Sequence, residues 1–115
     1  MARPKIEVRL EEGCCVVKFP AGVTSELEDQ LEPLTSKLGG AGCPRLILDL
    51  SAVESLTSPG AGLLIHASAQ ATERGQVVFV AGARGRVHTV LEQIGFLRRA
   101  RLVDTVQRAR SEPLT

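Results

Sequence analysis

The 115-residue chain has no tryptophan, no tyrosine and only three phenylalanines, Phe19, Phe79 and Phe96. Single-stranded nucleic acid is held largely by stacking bases on aromatic rings, so direct nucleic-acid binding is not expected. No apolar run approaches the roughly 20 residues of a membrane span, which argues against membrane insertion. The opening Met1-Ala2-Arg3-Pro4-Lys5 passes straight into alternating charge without the apolar stretch of a signal peptide, and a soluble cytoplasmic protein is expected. The three cysteines, Cys14, Cys15 and Cys43, form no Cys-x-x-Cys pair and have no zinc-ligand spacing. Reduced and mostly buried thiols are expected, with no metal and no cofactor. Cys14 and Cys15 are adjacent, so on a strand they point to opposite faces.

The chain is also poor in the groups that carry catalysis. Its two histidines are His66 and His88. Ser58 and His66 are separated by roughly 12 Å along one predicted helix, too far for the imidazole to act as a base on the hydroxyl. There is no Gly-x-Ser-x-Gly elbow and no Gly-x-x-x-x-Gly-Lys phosphate loop. Gly82-Ala83-Arg84-Gly85 follows a strand and opens a helix, where an anion could sit, but it lacks the three-glycine dinucleotide fingerprint. The reading is a non-enzyme with no catalytic residues.

What is present is a globular composition, 43% hydrophobic and 23% charged. The length suits one domain spanning 1–115, with a core large enough to need no staples. Net charge is +1, with 14 basic and 13 acidic side chains. Most of the acidic groups fall before residue 74, and beyond it the basic groups are all arginine, a bias that suits an acidic partner or a solvated face.

Periodicity lays out the elements. Ile6, Val8 and Leu10 alternate with Glu7, Arg9 and Glu11, a strand with one wet face. Glu12-Gly13 turns the chain, Cys14 to Phe19 is a second strand, and Pro20-Ala21-Gly22 breaks it. Leu27, Leu31, Leu34 and Leu38 form one helical stripe over 24–38, with Ser25 and Glu28 as a capping box, Thr24 as the other possible cap, Pro33 inside it and Gly39-Gly40 at its end. Leu46–Leu50 is a short apolar run fit for a central strand covered on both sides. A loop over 51–57 leads to Ser58-Pro59, read as N-cap and first helical residue of a helix over 59–73. Val77–Val80 is a strand. Val87, Val90, Leu91 and Ile94 mark a helix over 84–94 stopped by Gly95. Leu102-Val103 suggests a short edge strand, and Asp104 is placed to cap a last helix carrying Val106 and Ala109. The order predicts an α/β fold: a mixed four- to five-stranded sheet with helices packed on it, the successive crossover helices on one side.

The stretch Leu48-Asp49-Leu50-Ser51 with Val53, the turn Thr57-Ser58-Pro59-Gly60-Ala61-Gly62, the strand start Gly75-Gln76-Val77-Val78 and the helix end from Val87 to Gly95-Phe96 together resemble the STAS family, whose members include bacterial anti-sigma factor antagonists. With the leading hairpin, the resemblance covers nearly the whole chain. It implies a protein-binding regulator with Ser58 in the position of the phosphoacceptor. The implied partner is an anti-sigma factor that is also the serine kinase, released on phosphorylation and regained after a phosphatase acts. The alternative is a STAS subunit or scaffold of a lipid-transport or stress-signalling complex. Thr57 stands in place of the family's aspartate, Pro59 in place of its small hydroxyl residue, and Thr24 where antagonists commonly carry an acidic side chain. The implied partner surface is Gly22, Val23 and Thr24 with Leu56, Thr57, Pro59, Gly60, Ala61 and Gly62 around Ser58, the second strand's end lying beside the turn. Charge placed at Val23 or Ala61 is then expected to block binding without unfolding the domain, and Ser58→Ala to remove a helix cap.

Overall fold

Leu46, Ile47 and Leu48 follow one another without a polar break, and only a strand covered on both faces can hide all three. They form β4 (Arg45–Asp49), and none is more than 3% exposed. The structure, a computed structural model, describes residues 5–11, 13–31, 33 and 42–114. Around β4, β1 (Glu7–Glu11), β2 (Cys14–Lys18), β6 (Val77–Ala81) and β7 (Arg101–Val103) complete a five-stranded sheet in the order β1-β2-β4-β6-β7. β1 runs antiparallel to β2 and the remaining pairs are parallel. The sheet is therefore mixed, with the Leu46–Leu50 run at its centre.

One face of the sheet carries the helices that connect the strands. A 3-10 turn, Ser25–Leu27, leads into helical residues at 28–31 and 33, together α1. α2 (Ser58–Glu73) and α3 (Gly85–Gln93) follow β5 (Ser55–Leu56) and β6. Leu27, Leu31, Leu64, Ala67, Ala71, Val87 and Leu91 pack with Cys15, Val17, Leu48 and Val80 into one core. The Leu34 and Leu38 steps of the α1 stripe, its Gly39-Gly40 end and Glu12 of the first turn lie outside the described residues.

The other face is closed by α4 (Val106–Ser111) and the chain after it. Ala109 packs with Cys14, Val16, Ile47, Phe79 and Ala81, and Val106 and Leu114 lie against them. Cys14 and Cys15 thus serve opposite cores. The crossover rule gathers the helices that join parallel strands on one side, whereas α4 follows the edge strand β7 and packs on the other face. Arg45 and Arg101 bracket the Phe79 ring at 5.6 and 5.7 Å. Arg45 donates to Ala109 O at 3.0 Å, and Arg101 donates to Pro113 O and Leu114 O, which ties the chain end to the sheet.

Two local expectations need correction. Leu10 is 53% exposed, on a strand at the edge of the sheet. The last helix is capped by Thr105, whose hydroxyl accepts from Arg108 N at 3.1 Å, and not by Asp104.

Candidate functional site

β2 ends where Pro20 withdraws a backbone donor from the ladder. Phe19 N still donates to Asp49 O at 3.1 Å, and the chain then leaves the main sheet. Gly22 and Val23 do not remain a break. They form a two-residue strand, β3 (Gly22–Val23), parallel to β5, with Gly22 opposite Ser55 and Val23 opposite Leu56. Ala21 O accepts from both Glu54 N and Ser55 N, which fixes the start of this annex.

The β4–β5 connection is set by Asp49. Its carboxylate accepts from Ser51 N at 3.0 Å, an Asx-type turn that sends the chain back across the sheet's end. Leu50 N donates to Ala81 O and Val53 N to Leu50 O. Asp49 is only 7% exposed, so this residue of the Leu-Asp-Leu-Ser stretch shapes the backbone from within.

The entry of α2 rests on β3. Thr57 N donates to Val23 O at 3.1 Å, and the Thr57 hydroxyl donates to the same oxygen at 3.3 Å. That hydroxyl accepts from Gly60 N at 3.1 Å, so Thr57 is the N-cap. Ser58 and Pro59 become the first two helical residues. Gly60 is required by space: a Cβ there would lie 2.0 Å from Val23 O. The helix therefore begins pressed against the β3 backbone, where no other residue fits.

This arrangement corrects the sequence reading at several positions. The cap of α2 is Thr57, not Ser58, and of the two caps open for α1 the structure takes Thr24, whose hydroxyl accepts from Glu26 N at 3.2 Å. Val23 and Ala61 are 0% and 3% exposed and Gly60 is buried, so they support the turn from beneath and offer no side chain to a partner. Charge at Val23 or Ala61 would disrupt the core rather than probe a surface. Ser58, Pro59 and Gly62 are exposed, Gly22, Thr24 and Leu56 are half-buried, and these sit around one small annex. Thr57 is exposed, but its hydroxyl is engaged twice.

Ser58 consequently projects from the first turn with no cap to hold it. No acidic side chain lies in that turn, so the positive end of a 16-residue helix is unopposed. Its supply of donors is nevertheless small. Pro59 has none, Gly60 N is used by Thr57 Oγ1, and Ala61 N donates to Thr57 O at 2.8 Å. The Ser58 N–H is the open donor of the turn.

A second feature lies beside the annex. Ser51, Gly82, Ala83, Arg84, Asp104 and Thr105 line an open cleft of about 410 Å³. Gly82 adopts φ +77°, and a Cβ on it would lie 2.8 Å from that of Ser51. Arg84 donates to Ser51 O at 3.3 Å and precedes α3 without a side-chain cap. Sequence reasoning had no signal for Ser51 and Asp104 as neighbours of this loop; only strand order brings them together. His66 is exposed, and His88 Nδ1 lies 3.7 Å from the Glu92 carboxylate on the same helix. Among the described residues no helix is long and apolar enough to cross a membrane.

A family model described as the STAS domain matches residues 5–109. Sequence comparison with curated proteins gives no significant match. Among solved structures, an anti-sigma factor antagonist from Mycobacterium paratuberculosis is 24% identical, with a TM-score of 0.80 over 95% of this chain and 92% of that one. An anti-sigma-factor antagonist (STAS) domain protein from Planctomyces limnophilus is also 24% identical, with a TM-score of 0.80 over 94% and 96%. The Bacillus cell fate determinant SpoIIAA in its phosphorylated form is 12% identical, with a TM-score of 0.72 over 92% and 96%. At these identities the likeness is one of fold: the same mixed sheet and helix layer.

Proposed function

The chain belongs to the STAS domain family, and from that premise we propose that it is a protein-binding regulator of the anti-sigma factor antagonist type, switched by phosphorylation at Ser58. The observation that carries this reading is the Ser58 position: an exposed hydroxyl on a turn whose backbone is fixed by Thr57, Gly60 and Val23 O. A partner docked across Gly22, Thr24, Leu56, Pro59 and Gly62 would cover that hydroxyl. Phosphorylation adds about −1.5 to −2 charges there. In solvent that charge is hydrated and favoured by the helix dipole. Under a docked protein it loses water without gaining a counter-charge, so affinity falls while the fold is untouched. The implied partners are an anti-sigma factor with serine-kinase activity and a phosphatase. One structural neighbour is itself recorded in a phosphorylated form.

A second reading, a permanent docking subunit, is favoured by one feature. With Pro59 lacking an N–H and Gly60 N already used, a phosphate on Ser58 finds a single open backbone donor in the turn. The two readings separate in one experiment. A partner is isolated from the native cytoplasm, and its affinity is measured for the unmodified protein, the Ser58-phosphorylated protein, Ser58→Asp and Gly62→Glu. The switch predicts at least a tenfold loss on phosphorylation, about 1.4 kcal/mol, a smaller loss for Ser58→Asp, and a loss for Gly62→Glu. Gly62 faces open space, so its substitution leaves the fold intact. A loss for Gly62→Glu alone, with phosphorylation silent, supports the docking subunit. Equal affinity for all four places the interface elsewhere and overturns both.

A further inference from the structure

The neighbouring parallel strands β6 and β7 send their connections to opposite faces of the sheet. β6 leads to α3, which packs through Val87 and Leu91 on one face, and β7 leads to α4, which packs through Ala109 on the other. Such a divergence opens a crevice at the carboxyl ends of the two strands, the place where open α/β sheets take ligands. The cleft of about 410 Å³ lies there. Gly82, Ala83 and Arg84 come from the first connection, Asp104 and Thr105 from the second, and Ser51 from the loop after β4. Its walls are fixed by the backbone: Gly82 N donates to Val103 O at 3.1 Å, and Leu50 N to Ala81 O at 2.8 Å.

Two opposite charges line this cleft without neutralising each other. Arg84 and Asp104 form no salt bridge together, and among the described residues neither forms one elsewhere. Arg84 donates to Ser51 O at 3.3 Å, a neutral acceptor that leaves its charge unmatched. Arg108, whose charge Asp104 feels, is already paired with Glu112 at 2.8 Å. One cation and one anion held apart make the cleft neutral as a whole. Coulomb attraction there favours a ligand that carries both charges, whereas a bare anion drawn to Arg84 is repelled by Asp104.

We propose that the cleft binds a small zwitterion of the α-amino acid class, with its carboxylate on the Arg84 side and its ammonium on Asp104. α3 begins directly after Arg84 without a side-chain cap, so the positive end of that helix reinforces the carboxylate side. Thr105 Oγ1 accepts from Arg108 N at 3.1 Å, which leaves its own proton to donate to the ligand. Gly82 makes the cleft possible: at φ +77° and with a would-be Cβ 2.8 Å from that of Ser51, it lets the β4 loop close the third side. Ser58 takes no part, and the proposal stands whether or not Ser58 is phosphorylated.

The test titrates the full chain with each of the protein amino acids in turn and follows the backbone amide signals by NMR. The expected result is saturable shifts at Gly82, Ala83, Arg84 and Thr105 with at least one of them. The N-acetyl derivative of that amino acid, which lacks the ammonium, and its carboxamide, which lacks the carboxylate, should each bind at least about tenfold more weakly. Arg84→Gln and Asp104→Asn should each weaken binding by a similar factor. Their melting temperatures should stay near that of the parent, since neither side chain caps a helix. The two analogues are tested on the unaltered protein, so a folding defect in a variant does not mask the result. The proposal is overturned if no amino acid gives saturable shifts in the cleft, or if either analogue or either variant binds as tightly as the original pair. It is also overturned if inorganic phosphate or a nucleoside triphosphate saturates the same signals at lower concentration, because the cleft then reads an anion alone.

Discussion

Two helices start at the same end of the sheet, and they start differently. α2 begins on a turn that is capped by Thr57, bonded twice to Val23 O and packed without a gap at Gly60. α3 begins after Arg84, which provides no side-chain cap, and Gly85, which has open space around it. The first spends its backbone donors within the protein and so presents a side chain, Ser58, to the outside. The second leaves its early donors to water, and its fixed point is one residue pair further back, where Gly82 meets Ser51. A site that must display a hydroxyl in one orientation needs the first kind of start. Among the described residues the α3 entry has no comparable brace, and its arginine is tied to Ser51 O.

The contrast can be broken by substitution. Gly60→Ala should have the largest effect, a loss of about 3 kcal/mol, since a Cβ at 2.0 Å from a backbone oxygen forces the helix off β3. Denaturant unfolding reads this directly, and an unchanged midpoint would mean that α2 does not rest on β3. Gly82→Ala should follow at about 2 kcal/mol, because it adds a positive φ to a 2.8 Å approach to a side-chain carbon. Its cost tests whether the α3 entry is anchored at Ser51.

Thr57→Ala should cost about 1 kcal/mol as a lost cap, with additional cost from the bond to Val23 O. Thermal melts should show Thr57→Ser recovering most of it, because the hydroxyl is retained. The smallest effects belong to Ser58→Ala and Arg84→Ala, each within about 0.5 kcal/mol. A Ser58→Ala loss equal to that of Thr57→Ala would return the cap to Ser58 and remove the reason its hydroxyl is free for modification.

Much of this was legible along the chain. Hydrophobic spacing located every main strand, the Leu27 and Leu31 steps of α1 and the Val87 and Leu91 steps of α3, because burial of one face imposes a period; Ile94, the last step of the α3 stripe, is 41% exposed, and α2 was placed by its Ser58-Pro59 start. The run Leu46–Leu50 announced a strand with two covered faces. Adjacent Cys14 and Cys15 announced a side chain for each core. Family resemblance singled out Ser58, which the structure leaves exposed on the first turn of α2.

The caps show where such reading stops. Ser58 and Asp104 are good capping residues by type, yet Thr57 and Thr105 hold the positions, each one residue away from the one expected, and of Ser25 and Thr24, both open in the sequence, it is Thr24 that caps α1. Ser, Thr and Asp all accept from a helix N–H, so composition cannot choose between neighbours. The choice at α2 is made by Val23 O, a group 34 residues away, which accepts from both the backbone and hydroxyl of Thr57. The same remote pairing turns Gly22 and Val23 from a break into a strand, and it buries Val23 and Ala61, which the linear reading had placed on the surface.

What the sequence alone determined, then, was the strands of the main sheet and the helices beside them, but not β3 and β5, which lie where a break and a loop were expected; the main elements follow from local apolar runs and helix-start signals. Only the tertiary structure decided which hydroxyl is spent as a cap and which is left exposed, and which face α4 closes. Each of these depends on groups brought together by strand order rather than by spacing, and a hydrogen bond or van der Waals contact has no signature in the chain until both of its partners have been placed.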